Sequence, residues 1–204
     1  MRSSASTSKH RERGKVNTVY RFGIYPNKAQ RELFAKTFGC VRFVYNRMLA
    51  EKIAHYEKTG KNLSVTPARY KSEFPWLKEV DSLALCNAQL HLQTAYKNFF
   101  RDASVGFPKF KSKKKSVRNY TTNYVNGNIV LQNGKLKLPK AGWVRMKQHR
   151  KIEEGYQLKG ATITQEADDR YYVARSVMPY EHNGSSYFVV GSFCGAVLHR
   201  QSFR

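Results

Sequence analysis

Asn119-Tyr-Thr-Thr-Asn-Tyr-Val-Asn126-Gly127-Asn-Ile-Val-Leu131-Gln-Asn133-Gly134-Lys-Leu-Lys-Leu138 decides how the second half of this chain folds. Its β-branched and aromatic residues come in short alternating runs. Asn126-Gly127 and Asn133-Gly134 mark two tight turns, since both central residues of a type I′ turn need positive φ. Pro139 to Gly142 is a further turn, followed by a strand from Trp143 to Lys147. Gln157 to Glu166 and Arg170 to Met178 flank Ala167-Asp168-Asp169 as another hairpin. At least five strands arranged this way predict a small barrel or a strongly twisted sheet.

Upstream the period changes. Val16 to Tyr25 is β-branched and aromatic and reads as a first strand, closed by Pro26-Asn27, which offers an N-cap. Leu33, Phe34, Phe38, Val41, Tyr45, Met48 and Tyr56 recur mostly at steps of three to four. They predict a helix from Lys28 to Phe38 and another from Cys40 to Lys58, with Gly39 as the break or kink and Gly60 as the end. Thr66-Pro67 opens a short helix that stops at Phe74-Pro75. Asp81-Ser82 caps a longer one to about Asp102, with a stripe of Leu85, Gln89, Leu92, Tyr96 and Phe99 or Phe100. The fold class expected is α+β: a small β-barrel with a helical insert after its first strand. The segments expected are a disordered basic arm over 1–15, the first barrel strand over 16–26, the helical insert over 27–102, a basic linker over 103–118 and the barrel over 119–180.

Between these blocks lies the chemistry. Ala103 to Ile152 holds thirteen Lys or Arg residues and no Asp or Glu. In its densest part Lys109, Lys111, Lys113, Lys114, Lys115 and Arg118 are interleaved with Phe107, Phe110 and Tyr120, a pattern that offers phosphate neutralisation together with base stacking. Arg145, Lys147, Arg150 and Lys151 extend the track. Tyr120, Tyr124 and Trp143 either stack on bases or pack the barrel. Arg42, Asn46 and Arg47 lie beside the apolar stripe of the second predicted helix, as groove contacts or as an ordinary exposed face. The formal net charge of +23 favours a polyanion partner, RNA or DNA first and an anionic membrane surface second.

Other function classes find little support. The longest nearly apolar run, Tyr187 to Leu198, is too short to span a bilayer, and a cytoplasmic, nucleoid-associated protein is expected. Cys40, Cys86 and Cys194 form no C-x-x-C pair, and the six histidines show no i, i+4 pairing. Glu153-Glu154 and Asp168-Asp169 are adjacent pairs, whereas a two-metal nuclease needs carboxylates converging from several elements. No cofactor, metal or catalytic residue is predicted, and oligomeric state is left open.

Several motifs in order carry a family resemblance. Tyr25-Pro-Asn-Lys-Ala-Gln30 leads into Phe38-Gly-Cys-Val-Arg-Phe-Val-Tyr-Asn46. Trp76-Leu-Lys-Glu-Val-Asp81 precedes Ala95-Tyr-Lys-Asn-Phe-Phe100. Gly106-Phe-Pro-Lys-Phe-Lys-Ser-Lys113 and Leu138-Pro-Lys-Ala-Gly-Trp-Val-Arg145 follow. Over about Tyr20 to Val177 the chain resembles the N-terminal half of TnpB/OrfB-type proteins, a transposon-encoded family related to compact type V CRISPR effectors. The resemblance implies that the barrel is a wedge-type, oligonucleotide-binding-like β-barrel and that the insert after its first strand is a helix-turn-helix-like recognition insert, which grips a guide RNA and a target duplex. Cleavage in the family belongs to a following RuvC-like domain, whose first strand reads roughly Val-x-Gly-Ile-Asp-x-Gly. Val189-Val-Gly-Ser-Phe-Cys-Gly195 aligns there with Phe193 in the aspartate's place, so 181–204 is expected to be a divergent, truncated start of that domain. The expectation is therefore a nucleic-acid-binding fragment that does not cleave, without the nuclease and the zinc ribbon. The alternative is a helix-turn-helix DNA-binding regulator derived from a transposon protein.

Overall fold

A computed structural model describes residues 18–150 and 156–179. The predicted arm over 1–15, Lys151, Glu153-Glu154 and the segment from 180 onward, with Phe193 and Cys194, lie outside the described residues.

The chain runs β1 (Thr18–Tyr25), α1 (Lys28–Thr59), α2 (Pro67–Glu73), a 3-10 turn (Pro75–Lys78) and α3 (Ser82–Arg101). It continues as β2 (Arg118–Asn123), β3 (Val130–Gln132), β4 (Lys135–Leu138), β5 (Gly142–Lys147), β6 (Tyr156–Gln165) and β7 (Tyr171–Pro179). The class is α+β, with the helices following the first strand as expected. All seven strands form one antiparallel sheet in the order β2-β6-β7-β1-β5-β4-β3.

The curl of that sheet follows from one short connection. β2 and β3 lie on opposite edges, yet only residues 124–129 separate them. A flat sheet of seven strands at about 4.8 Å each would hold its edges about 29 Å apart. The seven Cα steps from Asn123 to Val130 reach about 25 Å at full extension, and they contain a turn with Asn126 and Gly127 at positive φ. The sheet therefore bends into a half-barrel. Asn123-to-Val130 is thus a strap across the two edges rather than the hairpin its Asn-Gly pair predicts. The strap is held by Asn128, whose Nδ2 donates to the Asn123 carbonyl at 2.9 Å and whose Oδ1 accepts from the Val125 N–H at 2.8 Å. Asn133-Gly134 does close a hairpin, β3 to β4.

One helix prediction needs correction. Gly39 does not divide the helical region into two: α1 is continuous over 32 residues. A single glycine costs a helix about 1 kcal/mol relative to alanine. Phe34, Phe38, Val41, Val44, Tyr45, Met48 and Leu49 are all buried on both sides of it, and their burial outweighs that cost. The caps are as read: Asn27 and Gln30 form a reciprocal capping box, and Gly60 closes the helix in the left-handed region.

Helices and sheet share one core. Phe34 of α1 packs on Tyr120 of β2 and Tyr171 of β7, and Phe38 also meets Tyr120. Asp81 fastens the two blocks: Oδ1 caps α3 at the Leu83 N–H (3.0 Å), while Oδ2 accepts from the buried Thr122 hydroxyl of β2 at 2.5 Å. A bulge between Leu158 and Gly160 shifts the register of β6 against β7, and on the β2 side a Cβ at Gly160 would stand 2.7 Å from the Thr122 carbonyl oxygen, so only glycine fits there.

Candidate nucleic-acid interface

Two basic surfaces emerge, and they are built differently. The first is made by α1 and the segment that returns across it. After α3 ends at Arg101, residues 103–117 run back over α1, where Asn46 fixes them in place. Its Nδ2 donates to the Lys111 carbonyl at 2.9 Å, and its Oδ1 accepts from the Lys111 N–H at 2.8 Å. The Lys111 ammonium sits 4.3 Å above the Tyr45 ring centroid. Burial lowers its affinity for a proton. Ser112 caps the lysine run, accepting through Oγ from the Lys115 N–H at 3.0 Å and through its carbonyl from the Ser116 N–H at 3.1 Å.

The basic segment is thus a positioned surface. Lys109, Lys113, Lys114, Lys115 and Arg118 are exposed and pair with no carboxylate among the described residues. Lys111 stands apart from them, half-buried and committed to Tyr45.

Arg42, Asn46 and Arg47 are brought together, as the helical spacing requires. With Gly39, Phe43, Ala50 and Phe110 they line an open groove of about 420 Å³. Their roles differ. Arg47 pairs with Glu51 at 3.0 Å and with Glu73 at 3.5 Å, and the Asn46 amide is engaged with Lys111. Arg42 is half-exposed and makes no ion pair among the described residues. Phe43 is braced edge-on by Phe74 and Trp76.

The second surface is the convex face of β1, β5 and β4, where alternation sends Leu136, Leu138, Val144 and Met146 inward and their neighbours outward. Lys135 lies directly across from Arg145, which in turn faces Tyr25, and Lys137 lies across from Trp143. Lys147 and Arg150 continue this exposed set. The Arg145 guanidinium stands 5.7 Å from the Tyr25 ring centroid. Like charges directly opposite one another weaken a sheet, so the Lys135–Arg145 pair is a feature the fold does not need for itself. Tyr25 and Trp143 are 55% and 43% exposed between these cations. The α1 capping residue Gln30 steadies this face by donating to the carbonyls of Ala141 and Trp143.

Tyr120 has to be removed from the base-stacking candidates. It is 4% exposed and sits between Phe34 and Phe38, and burial, with the nearby Asp81 carboxylate, drives its hydroxyl well above the usual phenol range. Inward alternation on β2 is the reason. Tyr124, in the strap, is exposed. The sequence reading overlooked Lys135, Lys137 and Tyr25, although the period-two run Lys-Leu-Lys-Leu138 already placed both lysines on one face.

Other chemistry is sparse. Burial pushes the Cys40 thiol up to about 11, which leaves it an inert core residue. Among the described residues no three His, Cys, Asp or Glu side chains converge as a metal site, and no helix is long and apolar enough to cross a membrane. On the concave face Arg175 is 6% exposed, and its Nε and Nη1 have no hydrogen-bond partner among the described residues.

Residues 16–61 match the helix-turn-helix domain model of OrfB/IS605-type proteins. The chain is 30% identical over 167 residues to a putative RNA-guided DNA endonuclease of Streptomyces pristinaespiralis, covering 78% of this chain and 41% of that protein. It is 29% identical over 161 residues to the putative RNA-guided DNA endonuclease InsQ of Escherichia coli K12, covering 75% and 39%. Over 107 residues it is 36% identical to the virulence protein VsdF of Salmonella dublin, 44% of this chain and 88% of that one. The chain belongs to the TnpB/OrfB-like family and corresponds to its N-terminal part. It spans about two fifths of the length of the two endonuclease relatives. The residues matched by the helix-turn-helix model form β1 and the single helix α1, and the next helix, α2, begins only at Pro67.

Proposed function

We propose that this chain binds nucleic acid, guide-type RNA and target DNA, through the α1 groove with its lysine segment and through the convex face of β1, β5 and β4. Binding, and not cleavage, is the activity of the described part. The observation that carries this reading is the surplus of exposed cations without carboxylate partners among the described residues: Lys109, Lys113, Lys114, Lys115 and Arg118 on one surface, and Lys135, Lys137, Arg145, Lys147 and Arg150 on the other. Polyphosphate satisfies such a surplus, and a broad basic face suits structured RNA, which is recognised largely through shape and backbone.

The test is to measure affinity for structured RNA and for duplex DNA while the salt is raised. With six or more phosphates engaged, affinity falls by about three orders of magnitude between about 50 and 200 mM salt. Binding that ignores salt contradicts the proposal. Incubation of the protein with RNA, DNA and Mg²⁺ is expected to leave the DNA intact, and metal-dependent cutting would overturn the non-cleaving half of the reading.

The description of the matched model favours a second reading, a helix-turn-helix DNA regulator. It requires Arg42, Asn46 and Arg47 to read base edges. Replacing all three with Ala would then abolish discrimination between DNA sequences, whereas the RNA-gripping reading predicts that any preference among duplexes is retained.

A further inference from the structure

Gly39 lacks a packing reason to be glycine. A Cβ built there meets nothing within 4 Å among the described residues, its φ is not in the left-handed region, and α1 continues through it. Glycine is among the least favourable residues inside a helix. The chain thus keeps a poor helix former where its own atoms would accept a better one. What the missing side chain provides is room: Gly39 lies in the open groove, with Phe43 and Phe110 among the other residues that line it.

The groove lining indicates what the room is for. Phe110 is 57% exposed, and no other ring packs on it among the described residues. Arg42, one turn from Gly39, is the groove cation that no carboxylate neutralises among the described residues, and Lys109 adjoins Phe110 on the exposed side. Asn46 is held in orientation by its two bonds to Lys111. An apolar floor, an unpartnered ring and a cation at the rim fit a planar base attached to a phosphate.

We propose that the groove over Gly39 receives one unpaired nucleotide, its base against Phe110 and its phosphate toward Arg42. This rests on the nucleic-acid reading above and adds to it a preference for single-stranded segments. A stacked duplex presents phosphates but no free ring face, so it gains nothing from the groove floor.

The experiment uses the full chain and two labelled probes, a single-stranded RNA of about 15 nucleotides, within the span such surfaces cover, and the same sequence as a duplex. Gly39→Leu fills the groove without removing a charge. It is expected to keep or raise the melting temperature and to weaken single-strand binding about tenfold, the scale of one lost stacking contact. Its duplex binding and its salt slope stay within about twofold of wild type, because no phosphate contact is lost. Phe110→Ala gives a comparable single-strand loss and decides the matter if Gly39→Leu fails to fold. Wild-type single-strand affinity in Phe110→Ala and in a folded Gly39→Leu, with a steep salt slope retained, overturns the groove while leaving the nucleic-acid reading intact. Equal losses on both probes also overturn it. Failure of the unaltered protein to bind either probe in a salt-dependent way overturns the underlying reading instead.

Discussion

The two glycines at 39 and 160 occupy regions that obey different constraints. In the sheet, Gly160 is demanded by the chain's own atoms, since any side chain would collide with the backbone of β2. In α1, Gly39 is demanded by nothing within the described residues. The same contrast runs through the molecule. Positive-φ residues of the sheet sit in turns that the strand pairing requires, at Asn126, Asn133, Lys140 and Asp169. Arg42 of α1 and the exposed cations of the lysine segment and of β4–β5 pair with no carboxylate among the described residues. An irregularity that packing explains belongs to folding, and one that packing leaves unexplained points to something the protein meets.

Stability measurements break or sharpen this contrast. The largest effect is expected for Gly160→Ala, where overpacking against Thr122 and Asn123 costs about 2–3 kcal/mol and lowers the melting temperature by about 5–10 °C. Next comes Asp81→Ala, which removes the α3 cap and strands a buried Thr122 hydroxyl, at about 2 kcal/mol by urea denaturation. Asp81→Asn retains the cap and loses less. Gly39→Ala is expected to move the other way, gaining about 0.5–1 kcal/mol. A loss at Gly39 would show that packing does need the glycine, and the contrast would fail. Arg175→Met gives the smallest change, neutral or slightly stabilising, since it replaces a buried guanidinium whose Nε and Nη1 are unpaired among the described residues. A clear loss of stability there would reveal an anionic partner on the concave face.

Much of this fold was legible from local signals. Asn27, Gly60, Pro67 and Asp81 mark helix ends because capping is decided by one or two residues. The strands of the second half were visible through alternation. What local reading missed was set by distant partners. Asn126-Gly127 makes its tight turn, but β2 goes to β6 and β3 to β4, so the strap is a consequence of the whole sheet closing up. Gly39 looked like a helix end because its cost is local, while the burial of Phe34 through Leu49 that overrides it is tertiary.

The basic surfaces were legible as charge, but the partition of their members was not. Lys111 and Asn46 turn out to hold the segment to α1, and Tyr120 to fill the core, because composition cannot tell a cation that anchors from one that waits for a phosphate. Lys135 and Lys137 join Arg145 and Trp143 on one exposed face through strand register.

The most direct test of the central claim is the salt dependence of RNA binding by the intact chain, beside a variant carrying Lys113→Gln, Lys114→Gln and Lys115→Gln. For six or more phosphates on single-stranded RNA, the plot of log affinity against log salt should fall with a slope of about −4 or steeper. The variant's slope should be shallower by about 2, with no change in melting temperature, since these three side chains form no ion pair among the described residues. A slope near zero, or one that the three substitutions leave untouched, would contradict the account.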